Sequence, residues 1–182
     1  MAAAANPPSV ETLLALALRH VNAGQRKRAV VLCEHALATH PPHPGVLQLL
    51  ALLTLQRGDA AGALRHAQAS LALRPDHAPT RQLAADAGFQ HALAHQDAHD
   101  HAAAVATLRE VLRLAPERAE AEVNLGIVLQ EAGRLDEAMQ AYGRAYRLRD
   151  DTFGRIAHAL AAADSGRVWL RLEDLRAALA SV

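Results

Sequence analysis

The chain has 182 residues, of which 51% are hydrophobic and only 3% are aromatic, so it can bury a sizeable core built from small and aliphatic side chains. Lys and Arg together number 19, as do Asp and Glu, and the formal net charge is zero. This balance of charge, with so few aromatic rings, argues against nucleic acid and against an acidic membrane surface as partners.

Amphipathic helices begin after a short N-terminal tail. Residues 1–9 are expected to be flexible, and Ser9 has a side chain that is preferred at a helix N-cap. Apolar residues spaced three and four apart then predict helices over residues 10–23 and 26–39. Gly24 stands between them and is expected to make the turn of an antiparallel helix pair.

A second pair repeats the plan of the first. Helices are predicted over residues 44–57 and 60–73, with Gly58 at the turn.

The single cysteine, Cys33, lies on the second helix of the first pair and excludes an internal disulfide. We expect it to be a buried structural thiol, because it falls where that helix packs inward.

The third pair begins with a longer helix. Its predicted helices cover residues 79–96 and 101–114, with a loop over 97–100, and the repeat carries seven residues more than its neighbours. Seven residues add roughly 700° of rotation, close to two full turns, so the packing face stays in phase. We therefore expect an extended helix here.

The fourth pair has the clearest pattern. Helices are predicted over residues 119–132 and 135–148, with Gly133 at the turn. Gly126 and Ala138 are small, and we expect the two backbones to approach most closely there. One such pair cannot bury its apolar face alone, so neighbouring pairs are required.

The C-terminal part departs from this pattern. Residues 153–163 read as another first helix, and Gly166 can make the next turn. The remaining segment has no small residue at the close-contact position of the repeat, and we expect residues 153–182 to form a degenerate repeat that caps the stack. Its apolar residues are Trp169, Leu170, Leu172, Leu175 and Leu179.

The fourth pair resembles the tetratricopeptide repeat (TPR). The match rests on the large, small, aromatic and turn positions of that repeat, which here are Leu125, Gly126, Leu129, Gly133, Ala138, Tyr142 and Ala145. The resemblance implies an all-α fold, a right-handed superhelical solenoid of antiparallel helix pairs. Shifts of 34 and 41 residues extend it to four repeats, at 10–43, 44–77, 78–118 and 119–152. Arg predominates over Lys, as in proteins of GC-rich genomes, and we expect a bacterial source.

In the family that the chain resembles, the first helices line an inner wall that is the usual binding surface. Apolar and amide side chains fill that wall here, which suits an amphipathic helix or an extended apolar peptide of a partner protein. A clamp for a terminal carboxylate is rejected, because only Asn124 matches it. Two alternatives stay open: these residues are inter-repeat core, or the chain's own segment 169–179 occupies the wall. The predicted contacts are Leu14, Leu18, Gln48, Leu52, Leu55, Phe89, Gln90, Leu93, Val123, Asn124, Ile127 and Gln130.

A histidine cluster surrounds the third turn. His91 and His95 share a helix face at the i and i+4 spacing used by zinc ligands, and His99 or His101 could supply a third ligand. No Glu occupies the HExxH position, so packing at a helix interface with ordinary hydrogen bonds is favoured over a metal site. No cofactor is predicted. A group of arginines lies around the last turn of the fourth repeat and could bind phosphate or an acidic partner, although a helix C-terminus enriched in Arg explains it as well. Its members are Arg144, Arg147, Arg149 and Arg155.

The sequence contains no phosphate-binding glycine loop, nucleophile elbow or paired acidic constellation, and we predict no catalytic residue. We expect a non-catalytic protein-interaction scaffold or chaperone-like adaptor. The alternatives are a histidine-dependent zinc, nickel or copper protein and a self-associating structural adaptor, for instance a homodimer. No signal peptide or membrane-spanning stretch is recognised, and we expect a cytoplasmic protein.

Overall fold

A computed structural model describes residues 8–162 and 172–182, and every regular element in these two ranges is a helix. The all-α prediction is confirmed, and the predicted helix bounds hold to within one or two residues. The helices are α1 (Val10–Asn22), α2 (Arg26–Thr39), α3 (Pro44–Gln56), α4 (Ala60–Leu73), α5 (Ala78–Asp97), α6 (His101–Leu114), α7 (Ala119–Glu131), α8 (Leu135–Leu148), α9 (Phe153–Ala162) and α10 (Leu172–Ser181), with a 3-10 turn at Asp150–Thr152.

The chain is divided into two compact units, Met1–Ala84 and Ala85–Val182, called unit 1 and unit 2 below. The division falls inside α5, whose 20 residues match the extended helix predicted for the third repeat. None of the described helices has both the length and the apolar character needed to cross a membrane.

Unit 1 is built from two antiparallel pairs, α1 with α2 and α3 with α4, and α2 also packs against α3. Fully buried alanines at Ala17 and Ala29 let the first pair approach closely. The Ser70 hydroxyl donates to the Pro44 carbonyl at 2.9 Å and ties α4 to the start of α3. Cys33 is buried, as predicted, and desolvation raises the pKa of its thiol to about 11.

Each of the first four helix pairs turns at a residue with left-handed backbone. Gly24, Gly58 and Gly133 have φ of 72°, 85° and 74°, values that glycine adopts without strain. In the third pair the corresponding residue is His99, with φ of 57°. Its amide donates to the Gln96 carbonyl just as the Gly58 amide donates to the Leu55 carbonyl. The third turn therefore has the same geometry without the glycine.

Unit 2 contains the α7–α8 pair and a larger core. Gly126 faces the ring of Tyr142, and a Cβ at Gly126 would overlap that ring. The Tyr142 hydroxyl donates to Gln130 Oε1 at 2.9 Å, and Gln130 Nε2 donates to the Ala159 carbonyl of α9 at 3.2 Å. The small residue predicted at 126 is thus required by an aromatic side chain of α8.

Helix α10 packs mainly against α8, with Leu175 and Leu179 buried. Close approach is possible because Gly143 has no side chain, and a Cβ there would lie 3.0 Å from the Leu179 carbonyl oxygen. Arg147 donates to that same carbonyl at 3.4 Å. The described part of the C-terminal segment therefore lies on α8 and not along α7. The residues predicted to turn and to continue it, Gly166, Trp169 and Leu170, lie outside the described ranges.

Candidate functional site: an apolar groove in unit 1

Helices α1 and α3 and the first turns of α5 line a groove of about 410 Å³ in unit 1. Each helix contributes residues one turn apart, since side chains at i and i+4 share a helix face. Six of the lining residues are aliphatic or proline, one is glycine and one is an amide. They are Leu14, Leu18, Gly45, Gln48, Leu49, Leu52, Pro79 and Leu83.

Two leucines of this groove are exposed to solvent. Leu18 is 45% exposed and Leu52 is 39% exposed, while Leu14 and Gln48 are half-buried. Leu49 is buried beneath them and connects the groove to the core of unit 1. Clustered exposed apolar side chains on a folded protein mark surfaces that are covered by a partner or ligand.

Gly45 shapes one end of the groove. A Cβ at this position would lie 3.0 Å from Leu14 Cδ2 and 3.2 Å from His43 Cε1. The absence of a side chain lets the first turn of α3 come close to Leu14 without filling the space above it. The groove therefore depends on a small residue as well as on its leucines.

The structure brings together four of the predicted contacts, Leu14, Leu18, Gln48 and Leu52. Leu55 is half-buried on α3 and does not line the groove. Sequence reasoning missed the other half of the lining. Among these missed residues, Pro79 and Leu83 lie one turn apart at the start of the extended helix, a spacing that could have indicated them.

The predicted contacts of α7 have a different environment. Val123, Asn124 and Gln130 are 0%, 7% and 2% exposed, so they offer a partner very little surface. Gln130 is used internally, since its amide joins Tyr142 to Ala159. For these residues of α7 the burial favours the inter-repeat core that the sequence had left open as an alternative, and we do not carry them into the proposed site.

The remaining predicted contacts of unit 2 keep partial access. Gln90 is exposed, and Leu93 and Ile127 are half-buried. The Phe89 ring is covered on one face by the Arg118 guanidinium, 4.5 Å from the ring centroid.

Unit 2 also has a polar cleft of about 280 Å³, which the sequence did not indicate. Its charges are paired: Arg144 Nε donates to Glu122 Oε1 at 2.7 Å, and Arg109 donates to Glu137 Oε2 at 3.1 Å. The Arg134 guanidinium hydrogen-bonds Glu137 and holds the pKa of that carboxyl below its usual value. Arg144 and Arg149, two of the four arginines considered for phosphate binding, thus pair with acidic residues within the chain, which weakens that interpretation for these two residues.

The histidines predicted as possible metal ligands lie where α5 meets α6. His91 Nε2 and His95 Nε2 are hydrogen-bonded at 3.1 Å. His101 Nε2 lies 3.7 Å from Glu131 Oε2, and the His99 ring is edge-on to the His101 ring. Within the described ranges, no three His, Cys, Asp or Glu side chains are arranged to hold one metal ion. The three-ligand site, which the sequence left as an alternative, is therefore not assembled there.

Stacked antiparallel helix pairs with an apolar groove on their first helices define a helical-repeat scaffold for protein interactions. Two sequence matches then specify the family. Residues 10–40 and 95–163 match models described as tetratricopeptide repeat, and together these segments make up more than half of the chain. The chain belongs to the tetratricopeptide repeat family, as the sequence resemblance predicted.

Solved structures of MamA show the same fold. A crystal structure of MamA is 17% identical and has a TM-score of 0.57, covering 91% of this chain and 88% of its own. A MamA RS-1 double mutant is 15% identical with a TM-score of 0.60, covering 94% and 93%. MamA from residue 41 to its end, from Desulfovibrio magneticus RS-1, is 17% identical with a TM-score of 0.59, covering 86% of each chain. No curated protein matches the sequence.

Proposed function

We propose that unit 1 binds an amphipathic helix of a partner protein in its apolar groove, and that the chain acts as a non-catalytic scaffold or chaperone-like adaptor. The observation that carries this proposal is the partial exposure of Leu18 and Leu52 beside a cavity of about 410 Å³. Burying a leucine side chain fully contributes roughly 1.5–3 kcal/mol, so a partner that covers both gains substantial affinity.

The shape of the groove favours a helix as the occupant. Its lining residues include pairs four residues apart, about 6 Å along each helix axis, namely Leu14 with Leu18, Gln48 with Leu52 and Pro79 with Leu83. An amphipathic helix presents its own apolar side chains at i, i+3, i+4 and i+7, a row that fits between such pairs. Gln48 supplies one amide that can hydrogen-bond a polar group at the edge of the bound helix.

The charge of unit 1 supports an acidic partner. Residues 1–84 contain eight Arg and Lys side chains and four Asp and Glu side chains, whereas residues 85–182 contain 11 and 15. The zero net charge of the whole chain therefore conceals a basic unit 1. Carboxylates flanking the apolar row of the partner helix would meet this positive potential and speed association.

The repeat boundaries are part of the same proposal. We assign the four repeats to residues 10–43, 44–77, 78–118 and 119–152, with 153–182 as a degenerate repeat and C-terminal cap. Phe89, Gln90, Leu93 and Ile127 are kept as secondary contacts for the partner in unit 2. The proposed place of action is the cytoplasm.

A titration with designed peptides tests the groove. Fluorescence anisotropy would follow a labelled amphipathic helix with a leucine row and flanking glutamates, against a scrambled peptide of equal composition. The double variant Leu18→Glu, Leu52→Glu is expected to weaken binding at least a hundredfold, the loss of about 3 kcal/mol or more. Val31→Glu is the matched control, because Val31 is 62% exposed on α2 and lies outside the groove lining.

Three outcomes would contradict the proposal. One is equal binding of the helical and the scrambled peptide by the wild-type chain. Another is unchanged affinity in a folded double variant. The third is sedimentation showing that a second copy of the chain occupies the groove, so that Leu18→Glu, Leu52→Glu dissociates a dimer and leaves peptide binding unaffected.

A further inference from the structure

His91 and His95 form a contact that the proposed groove does not use. They lie one turn apart on α5, with Nε2 atoms 3.1 Å apart and ring centroids 4.3 Å apart. Both side chains are half-buried, and that of His95 is 27% exposed. Solvent therefore reaches the pair, and the helix fixes the spacing of the two rings.

The distance between the two nitrogens matches the needs of a metal chelate. Imidazole nitrogen binds late transition metals at about 2.0–2.1 Å, so two nitrogens on one ion at a ligand angle of roughly 90–110° must be about 2.9–3.4 Å apart. The observed 3.1 Å lies inside that range. The two nitrogens are thus already at the separation that a shared ion requires.

We propose that His91 and His95 chelate one divalent late transition metal ion, Cu²⁺ or Ni²⁺, through Nε2 of both rings. Within the described ranges no third His, Cys, Asp or Glu joins them to form a metal-binding group, so water completes the coordination. Such an open site differs from the three-ligand and four-ligand zinc sites that proteins use for catalysis or structure. For a given set of nitrogen ligands Cu²⁺ binds most tightly, followed by Ni²⁺.

Asp100 prepares one ligand for this role. Its Oδ2 lies 3.9 Å from His95 Nδ1, and a carboxylate near Nδ1 favours the tautomer that carries its proton there and leaves Nε2 free. Asp100 is itself held in place, because its Oδ1 accepts from the Ala103 amide at 3.1 Å as the N-cap of α6. On metal binding, the ring that donates through Nε2 must give up that proton, so that the Nε2 lone pairs of both rings face the ion.

Calorimetric titration of the full 182-residue chain, with any affinity tag removed, tests the proposal with Cu²⁺ and with Ni²⁺ alone. We expect one tight equivalent of ion per chain. His91→Gln and His95→Gln should each weaken it at least about tenfold, the loss expected when one of two ligands is removed. His99→Gln and His35→Gln are matched controls, since each removes one histidine and leaves the pair intact.

Electron paramagnetic resonance of the Cu²⁺ form gives a second readout that needs no variant. Two coordinated imidazole nitrogens are expected in the wild-type chain. One nitrogen or none would overturn the proposal, even if ions bind. Equal weakening in the control and the ligand variants, or full affinity in His91→Gln and His95→Gln, would also overturn it by showing scattered binding to the 11 histidines.

Discussion

His99 is the only described residue other than glycine with a positive φ, and it occupies the turn where three other helix pairs have glycine. A side chain in the left-handed region costs roughly 1 kcal/mol. We therefore expect His99→Gly to raise the free energy of unfolding by about 0.5–1 kcal/mol. The gain is reduced by the greater conformational entropy that glycine gives the unfolded chain. Urea denaturation followed by circular dichroism would measure this gain.

Gly58→Ala is the matched control for that substitution. A Cβ at Gly58 has no atom within 4 Å, so only the φ of 85° opposes it. The expected loss is about 1 kcal/mol. An unchanged or lower urea midpoint for His99→Gly, together with the expected loss for Gly58→Ala, would show that the His99 side chain stabilises the turn by more than its backbone strain.

Tyr142 joins α7 to α8 through its hydroxyl. Tyr142→Phe would leave the Gln130 side-chain oxygen, which is buried, without this donor. We expect the free energy of unfolding to fall by about 1–2 kcal/mol, the usual cost of an unsatisfied buried acceptor. Tyr146→Phe is the control, because the Tyr146 ring is half-buried and packs against Phe153 at 6.1 Å. Equal losses in both variants would exclude a special role for the Tyr142 hydroxyl.

The same hydroxyl predicts an alkaline effect. Burial raises the pKa of Tyr142 above its usual value of 10.0. The folded chain therefore holds this proton more tightly than the unfolded chain, and the associated stability is complete below about pH 10 and falls as the pH rises above it. The difference in unfolding free energy between the wild-type chain and Tyr142→Phe should shrink from pH 9 to pH 11. A difference that stays constant over this range would contradict the assignment.

Replacing either of two glycines within helices by alanine should change stability in opposite directions, depending on what packs against the added methyl group. Gly126→Ala places a methyl group against the Tyr142 ring and should destabilise the α7–α8 pair by about 1–3 kcal/mol. Gly154→Ala on α9 meets no atom within 4 Å and should stabilise by about 0.5–1 kcal/mol through helix propensity. Thermal unfolding would separate them. A Gly126→Ala chain as stable as the wild type would mean that Tyr142 moves freely aside.

Helix positions were the most predictable part of this fold. The bounds of α2 and α4 coincide with the predicted ranges, because a glycine turn precedes each helix and a proline follows it. The extended α5 also followed from sequence, since seven added residues preserve its packing face. Periodicity does not indicate what stands opposite a face, so the burial of Gln130 against α9 was missed. The ion pair of Glu122 with Arg144 was missed for the same reason.

The groove was predictable only in part. Leu14, Leu18 and Leu52 could be assigned from their register within each first helix, whereas Pro79 and Leu83 belong to the groove through tertiary packing. Gly45 opens space by lacking a side chain. A search for the spacing of apolar residues does not identify such a glycine. Local sequence thus indicates which face of each helix is apolar. It does not give the depth of a cavity, because that depth depends on several helices at once.

For the molecule as a whole, the unequal charges of the two units predict how salt acts on binding. The association rate of the acidic peptide with the chain should fall by roughly tenfold between 20 and 300 mM salt, while its dissociation rate changes little. Stopped-flow fluorescence would measure both rates. A peptide with lysines in place of the flanking glutamates is the control and should associate more slowly at low salt. Salt-independent rates for the acidic peptide would contradict the expected steering by unit 1.

Methyl NMR of the isotope-labelled chain, titrated with the acidic amphipathic peptide, decides where a partner helix binds. The methyl groups of Leu14, Leu18 and Leu52 should shift and show cross-saturation from the bound peptide. Those of Leu73 and Leu148, which are 47% and 42% exposed outside the groove, should not. Cross-saturation confined to Leu73 or Leu148, or a saturated complex with unshifted groove leucines, would contradict binding in the groove.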